Sequence, residues 1–280
     1  MSKNRPALLS VLRREQVTPS VTRLVLGDVP GSRDGIDAFA SRWTGCTDAY
    51  VKLVFLAVGH RYPEPLDLEQ VRATMPPAAW PILRTYTVRR FDEHAREVWI
   101  DVVVHGDDGV AGPWAAQAQP GETIHVRGPG GAYRPAAEVD HHLYVGDEAA
   151  LPAIAASVES LRAGARATVF CEVAGAEEEQ PLVSDASVDV RWLHRRGAAP
   201  GTTSLLDDAV RAWEWPGGRV EVFVHGEAGL LSTVRPYLVR ERQVARADAS
   251  VSAYWRLGDT EESFREWKSQ QSEPILRPTT

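Results

Sequence analysis

Cysteine is nearly missing from this chain. Its 280 residues hold two, Cys46 and Cys171, far apart and without C-x-x-C or Cys/His spacing. That excludes a disulfide framework and a zinc ligand set, and fits a reducing compartment. No apolar run reaches membrane-spanning length. The opening residues MSKNRPALLSVLRREQ lack the apolar core of a signal peptide, so a cytoplasmic location without membrane contact is expected. Basic charge is scarce too. Thirty-one Lys and Arg face 38 Asp and Glu, for a formal charge of -7, with no Lys/Arg run to suggest nucleic acid as a partner. An anionic ligand must therefore be held by a local group of cations. G-x-S-x-G, H-E-x-x-H and the P-loop are all absent. The eight histidines are scattered. His141-His142 reads as a surface pair, Glu177–Glu179 as a solvated loop, and no metal site is expected.

What is present reads as two halves. Residues 7–14, 20–26, 50–57, 84–89, 97–105 and 123–127 alternate polar and apolar positions or are rich in β-branched residues, which predicts strands. Residues 31–47, rich in Gly, Ser, Asp and Arg, read as a loop or insertion. Residues 62–81 are Pro-rich, with one helical turn at 68–73, and 111–119 is a short helix. Six short strands with turn punctuation predict an antiparallel barrel. Near residue 139 the pattern changes. Strands at 142–146, 167–173, 188–193, 220–225 and 250–255 alternate with helices at 149–163, 203–213, 230–242 and 261–270. This predicts a parallel sheet with helices on both faces, and a division into 1–138 and 139–280.

Several stretches have chemical potential. Arg84-Thr85-Tyr86-Thr87-Val88-Arg89 sets a guanidinium, a ring and a hydroxyl within four residues. Alternation puts Arg84 and Tyr86 on one face and Thr87 on the other. Such a set suits a flat anionic cofactor, through a fork of donors, a ring cover and a hydroxyl to a ring nitrogen. An ordinary surface strand is the plainer reading of those six residues alone. The segment 105–114 runs strand, Gly-rich turn, helix start, where small residues and exposed N–H groups suit a pyrophosphate. The segment 144–153 is the first strand-to-helix turn of the α/β half, a ligand position in open parallel sheets. It lacks G-x-G-x-x-G, and Asp147 and Glu148 would repel a bare phosphate, so cofactor contact and helix capping both stay open. In WLHRR, Arg195 or Arg196 takes a 2′-phosphate or forms a solvated charge pair. The aromatics of YWRLG at 254–258 are core, or cover for a flavin face.

Taken in order, these stretches resemble one family. DAYVKLVF at 48–55, RTYTVR at 84–89, DVVVHGDDGVAGPW at 101–114, PGE at 120–122, GDEAALPA at 146–153, WLHR at 192–195, HGEA at 225–228 and YWRLG at 254–258 are similar to motifs of the siderophore-interacting proteins. These are flavin-dependent ferric-siderophore reductases of the ferredoxin-reductase superfamily. The resemblance spans almost the whole chain. It implies an N-terminal antiparallel flavin-binding β-barrel that holds FAD, and a C-terminal parallel-sheet domain for the electron donor, NADPH or NADH, with ferredoxin in some members. The implied reaction reduces a ferric siderophore and releases Fe(II) for iron assimilation. By motif match, Arg84, Tyr86 and Thr87 would hold the isoalloxazine and ribityl region, with Thr87 the catalytic candidate. Asp101, Val103 and His105 would lie along the cofactor. Gly109, Ala111 and Gly112 would present backbone to the pyrophosphate, with Trp114 packing nearby. Gly146, Asp147 and Glu227 would border the nicotinamide pocket, and Arg195 would meet the nucleotide. Trp255 or Tyr254 would approach the flavin's far face. Lys52 and Arg256 are the cations expected to meet an anionic siderophore, and a monomer is expected.

The chain departs from the family pattern at three places. Gly112 stands where Ser is usual, Ala149 where Thr is frequent, and Gly130 where the GPRG version has Arg. The alternatives are a flavin reductase or electron-transfer flavoprotein serving another acceptor, and a non-catalytic flavin- or siderophore-binding protein.

Overall fold

The computed structural model describes residues 5–104, 106 and 109–271. They form two compact units, one of residues up to 45 with 49–131, the other of 46–48 with residues from 132 onward.

The first unit is a closed barrel of six strands, all antiparallel to their neighbours. They are β1 (Ala7–Thr18), β2 (Val21–Asp28), β3 (Tyr50–Phe55), β4 (Ile82–Asp92), β5 (Glu97–Val103) and β6 (Thr123–Gly130), in the order β1-β2-β5-β4-β3-β6. Closure removes the exposed edges that an open sheet must otherwise protect. Helices α1 (Asp34–Ala40) and α3 (Ala111–Gln117) cover β2, so β2 buries residues of both faces, including Thr22, Leu24, Val25 and Leu26. Between β3 and β4, helix α2 (Leu68–Thr74) is capped by Asp67, whose carboxylate accepts the Glu69 and Gln70 N–H groups at 3.0 and 3.2 Å. Leu66, Leu68 and Val71 then pack on Val54 and Leu83.

Helix α1 corrects the reading of 31–47 as a loop. Its Gly- and Ser-rich flanks hide a short helical pair, Ile36 and Phe39, followed by Trp43 just beyond the helix. Ile36 and Phe39 are fully buried, and Phe39 packs against Trp43 and Phe91. Polar contacts pin the helix. Asp28 accepts the Ile36 N–H at 2.9 Å, and Arg96 bridges Asp28 and Asp37 at 2.6 and 2.8 Å.

The second unit is a five-stranded parallel sheet, β7 (His141–Asp147), β8 (Arg166–Val173), β9 (Ser187–His194), β10 (Val220–Glu227) and β11 (Ala249–Trp255), in the order β11-β10-β7-β8-β9. One face packs on α4 (Leu151–Glu159) through Leu151, Ile154 and Val158. The other packs on α5 (Leu205–Ala212) and α6 (Ala228–Pro236) through Leu206, Val210 and Val234. Every residue of β10 is buried, as expected of a central parallel strand covered on both faces. The last helix among the described residues is α7 (Glu261–Gln270). Several helices are shorter than the sequence suggests, α4 and α6 most of all. Helix α4 stops at Glu159, ahead of a turn at 161–165, and the 230–242 segment widens after Pro236 into a five-residue π turn. Among the described residues no helix is long and apolar enough to cross a membrane.

Polar contacts anchor the segment that leads into β7. Asp48 accepts the N–H groups of Ala132 and Tyr133, each at 2.8 Å. Glu221 accepts the Tyr133 hydroxyl at 3.1 Å and the Ala136 N–H at 3.0 Å, and meets His142 Nδ1 at 2.9 Å. His142 is therefore no surface residue: it is 3% exposed. The Glu177–Glu179 loop is not uniformly solvated either, since Glu178 is buried and Glu179 meets His194 at 2.8 Å. Replacing Glu221 by Ala strands the buried Tyr133 hydroxyl and His142 ring as well as the half-buried Ala136 N–H, and is expected to destabilise this unit by about 3–5 kcal/mol in urea unfolding. A loss below about 1 kcal/mol contradicts the anchoring role.

Candidate functional site

Two ends of strands collect the residues with chemical potential, one in each unit. In the barrel, β4 pairs with β3 so that Leu53 faces Arg84, Lys52 faces Thr85, Val51 faces Tyr86 and Tyr50 faces Thr87. Cross-strand partners share a face. Arg84 and Tyr86 thus stand with the buried Leu53 and Val51, while Thr87 shares its face with Tyr50 and Lys52. On its other side Lys52 pairs with Arg127 of β6, which puts two cations side by side. Thr87 is buried, and Arg84, Tyr86 and Lys52 are half-buried.

Strand β4 also pairs with β5 in the opposite direction, Val88 beside Ile100. Residues before Val88 and residues after Ile100 therefore reach the same end of the barrel. That end gathers Arg84, Tyr86, Thr87, Asp101 and Val103, followed by the turn into α3. Asp101 is committed: its carboxylate takes both arms of Arg23 at 2.6 and 2.7 Å across the β2–β5 pair. Arg23 in turn lies over the Trp99 ring at 5.2 Å. Beyond β5, Gly109 has φ +82°, and a Cβ there would meet no atom within 4 Å. One at Gly112 would only touch Val104 Cα at 4.0 Å. Ala111 is buried, Val110 at the helix start provides no side-chain cap, and Trp114 packs edge-on to Phe55 at 5.6 Å. His105 lies outside the described residues.

In the second unit, the carboxyl ends of all five strands point to one edge. Asp147, at the end of β7, is the hub. One oxygen accepts the Ala149 and Ala150 N–H groups at 3.0 and 3.3 Å, and the other accepts the Glu227 N–H at 2.9 Å and the Trp255 indole N–H at 2.7 Å. Gly226 permits this approach, since at φ +143° a Cβ would lie 2.7 Å from the carboxylate. Burial pushes Asp147 up to about 6, with the nearby charge of Glu148 adding to the rise, while the indole and backbone donors hold it down. Gly146 is a packing residue, because a Cβ would sit 2.6 Å from Ala150 Cβ and 2.7 Å from the His225 carbonyl. Glu227 caps α6 through the Gly229 N–H and accepts Leu257 N–H at 3.0 Å.

Arg195 turns inward. Its two terminal nitrogens reach Glu148 at 2.6 and 2.9 Å, and Glu172 lies 3.7 Å away. The Arg195 side chain is 5% exposed. Glu172 also accepts the Thr203 hydroxyl at 2.6 Å. Arg256 is exposed, stacked over Trp267 at 5.1 Å and 3.5 Å from Asp259. Sequence reasoning missed Arg23, Arg127, Glu172 and Thr203. Each gains its significance from a cross-strand or strand-end neighbour, and no local motif carries that information.

The matches to known families cover both units. Residues 10–133 match the model of the siderophore-interacting FAD-binding domain, and residues 139–258 match that of the siderophore-interacting protein. The chain belongs to the siderophore-interacting proteins. A siderophore utilization protein from T. fusca has the same fold, with 40% identity, 93% of this chain and 96% of that chain covered, and a TM-score of 0.75. The ferric vibriobactin reductase ViuB of Vibrio cholerae is 29% identical over 93% of each chain. An NADPH-dependent ferric-chelate reductase of Escherichia coli is 35% identical over 55% of this chain and 56% of its own. The barrel followed by a parallel sheet is ferredoxin-reductase-like, and the first unit carries the family's FAD-binding domain.

The Asp147 hub makes a signed prediction. Its pKa is raised from 3.8 to about 6, so the ionised form is the penalised one, and the group favours folding as pH falls from about 6 toward 3.8. Trp255→Phe removes a donor that serves the ionised form. The variant is expected to lose about 1.5–3 kcal/mol near pH 8 and clearly less near pH 5, where Asp147 is protonated, by urea unfolding at both values. Equal losses at both pH values contradict the hub.

Proposed function

We propose that this protein is an FAD-dependent reductase that passes electrons from a nicotinamide nucleotide to a ferric siderophore, releasing Fe(II). The observation that carries the reading is the barrel end, where a guanidinium, a phenol ring, a buried hydroxyl and an open glycine backbone occur together in a chain of this family. These residues fit FAD. Space beside Gly109 and Gly112 lets backbone approach a pyrophosphate, Arg84 supplies a charged fork, and Tyr86 supplies a ring face. When bound, FAD supplies the conversion of a two-electron donor into single electrons. Arg84, Tyr86 and the 109–112 backbone would hold the cofactor, and Thr87 would offer its hydroxyl as a hydrogen-bond donor to it. No acid/base pair is required, because the protein's part is placement and charge. Lys52 and Arg127, paired across β3 and β6, set positive charge where an anionic ferric chelate is drawn in. The iron arrives already coordinated by its siderophore, so no protein ligand set is needed. Arg256 is the second cation proposed for the substrate. A cytoplasmic monomer is the setting this reading supposes.

Arg84→Ala is expected to weaken FAD binding about 10- to 100-fold, read by flavin fluorescence on titration into apoprotein. Unchanged affinity removes Arg84 from the site. Lys52→Ala is expected to raise KM for an anionic ferric siderophore several-fold with little change in kcat, and unchanged KM removes Lys52. The overall reading is tested by anaerobic turnover with a nicotinamide donor, a ferric siderophore and a ferrous chelator. Coloured ferrous chelate that depends on protein, FAD and donor is expected. Turnover of free flavin with none of the ferric chelate identifies a flavin reductase instead.

A further inference from the structure

The nucleotide that this chain takes is written in the engagement of Arg195. We propose that the edge of the parallel sheet selects a dinucleotide without a 2′-phosphate, NADH over NADPH, because Glu148 already holds both terminal nitrogens of the guanidinium that would receive that phosphate and Glu172 stands beside it. The inference rests on the nicotinamide-donor reading above.

In an open parallel sheet the nucleotide crosses the carboxyl ends of the strands. An acid at the end of the second strand suits a ribose hydroxyl, and an arginine nearby suits a 2′-phosphate. Here the second and third strands are β8 and β9: Glu172 lies near the end of β8, and Arg195 directly follows the last residue of β9. The arginine is present, but it is not available. Both terminal nitrogens meet Glu148 within 3.0 Å, Glu172 lies 3.7 Å off, and the side chains of all three are between 5% and 11% exposed.

A phosphate that takes both terminal nitrogens of Arg195 must displace Glu148. That would leave a carboxylate largely out of water without its partner, and removing one member of a buried pair is strongly unfavourable. The displaced charge would also add to a corner that already holds Asp147, whose pKa is raised by burial and by Glu148. Two carboxylates against one guanidinium make this corner repel a dianion. A ribose with a free 2′-hydroxyl meets no such obstacle, because a hydroxyl donates to a carboxylate.

Arg196 is the neighbouring cation. It is exposed, with φ +50° and its N–H on the Ala174 carbonyl at 3.2 Å. An exposed guanidinium in high dielectric adds little to an ion pair, so it does not restore what the engagement of Arg195 takes away. On this proposal the chain differs from its E. coli relative, whose name records NADPH dependence.

The test is calorimetric titration of the flavin-loaded protein with AMP and with 2′,5′-ADP, which differ in the 2′-phosphate and need no turnover. The wild type is expected to bind AMP at least as tightly. Glu148→Gln frees Arg195 and is expected to tighten 2′,5′-ADP about tenfold or more with AMP within about twofold. Arg196→Ala, a surface change that leaves the fold intact, is expected to keep the wild-type ratio. A wild-type preference for 2′,5′-ADP of about tenfold overturns the selectivity alone, as does a tenfold loss of 2′,5′-ADP affinity in Arg196→Ala. Failure of a folded Glu148→Gln protein to gain affinity also overturns it. Binding of neither nucleotide overturns the donor reading and the inference with it.

Discussion

The Asp147 carboxylate is the constraint on which the second unit depends. It is buried, it is ionised above pH about 6, and it receives four donors from β7's own helix turn, β10 and β11. A buried charge is tolerated only when it is so satisfied. The result is a fixed strand-end geometry. Gly146 and Gly226 must lack side chains for it to close, and Trp255 is oriented by its indole N–H rather than left to stack at random. Beside it, the Glu148–Arg195–Glu172–Thr203 chain ties β7, β8, β9 and the loop into α5. This edge is acidic and internally paired, which shapes what it accepts.

The barrel works the other way. Its strand-end cluster keeps Arg84, Tyr86 and Lys52 half-buried, with open backbone around Gly109 and Gly112. Stability there comes from closure, from α1 pinned by Asp28 and Arg96, and from the Arg23–Asp101 pair. On the proposed reading, the β4 stretch Arg84–Thr87 is the part of the barrel that meets the cofactor. The division matches the proposed chemistry: a firm grip on a cofactor in one unit, and a selective edge for a donor in the other.

Much of this was legible in the sequence. Period-two strands before residue 130 and strand/helix alternation after 139 give the barrel and the parallel sheet, because burial on one or two faces writes itself into local pattern. The RTYTVR stretch and residues 109–114 stand out as local patterns, and the structure sets the first on β4 and the second at the start of α3. What escaped is non-local. Helix α1 hides in a Gly- and Ser-rich segment, since its helical period of Ile36 and Phe39 is short and its anchor, Arg96, is far along the chain. His142 looks like a surface residue until Glu221, at the equivalent height of the neighbouring strand, is seen to face it. Arg195 reads either as a phosphate ligand or as a solvated charge pair, and its buried pairing with Glu148, with Glu172 3.7 Å away, depends on neighbouring strand ends that no local motif reveals.

The central claim is that electrons leave this protein singly for ferric iron. Its most direct measurement is anaerobic reoxidation of the fully reduced, FAD-loaded protein by a ferric siderophore, with a ferrous chelator counting the product. The account predicts full return of the oxidised flavin spectrum with about two ferrous ions per FAD. A reduced flavin that persists in excess ferric siderophore, yet reoxidises promptly with another acceptor, would contradict it.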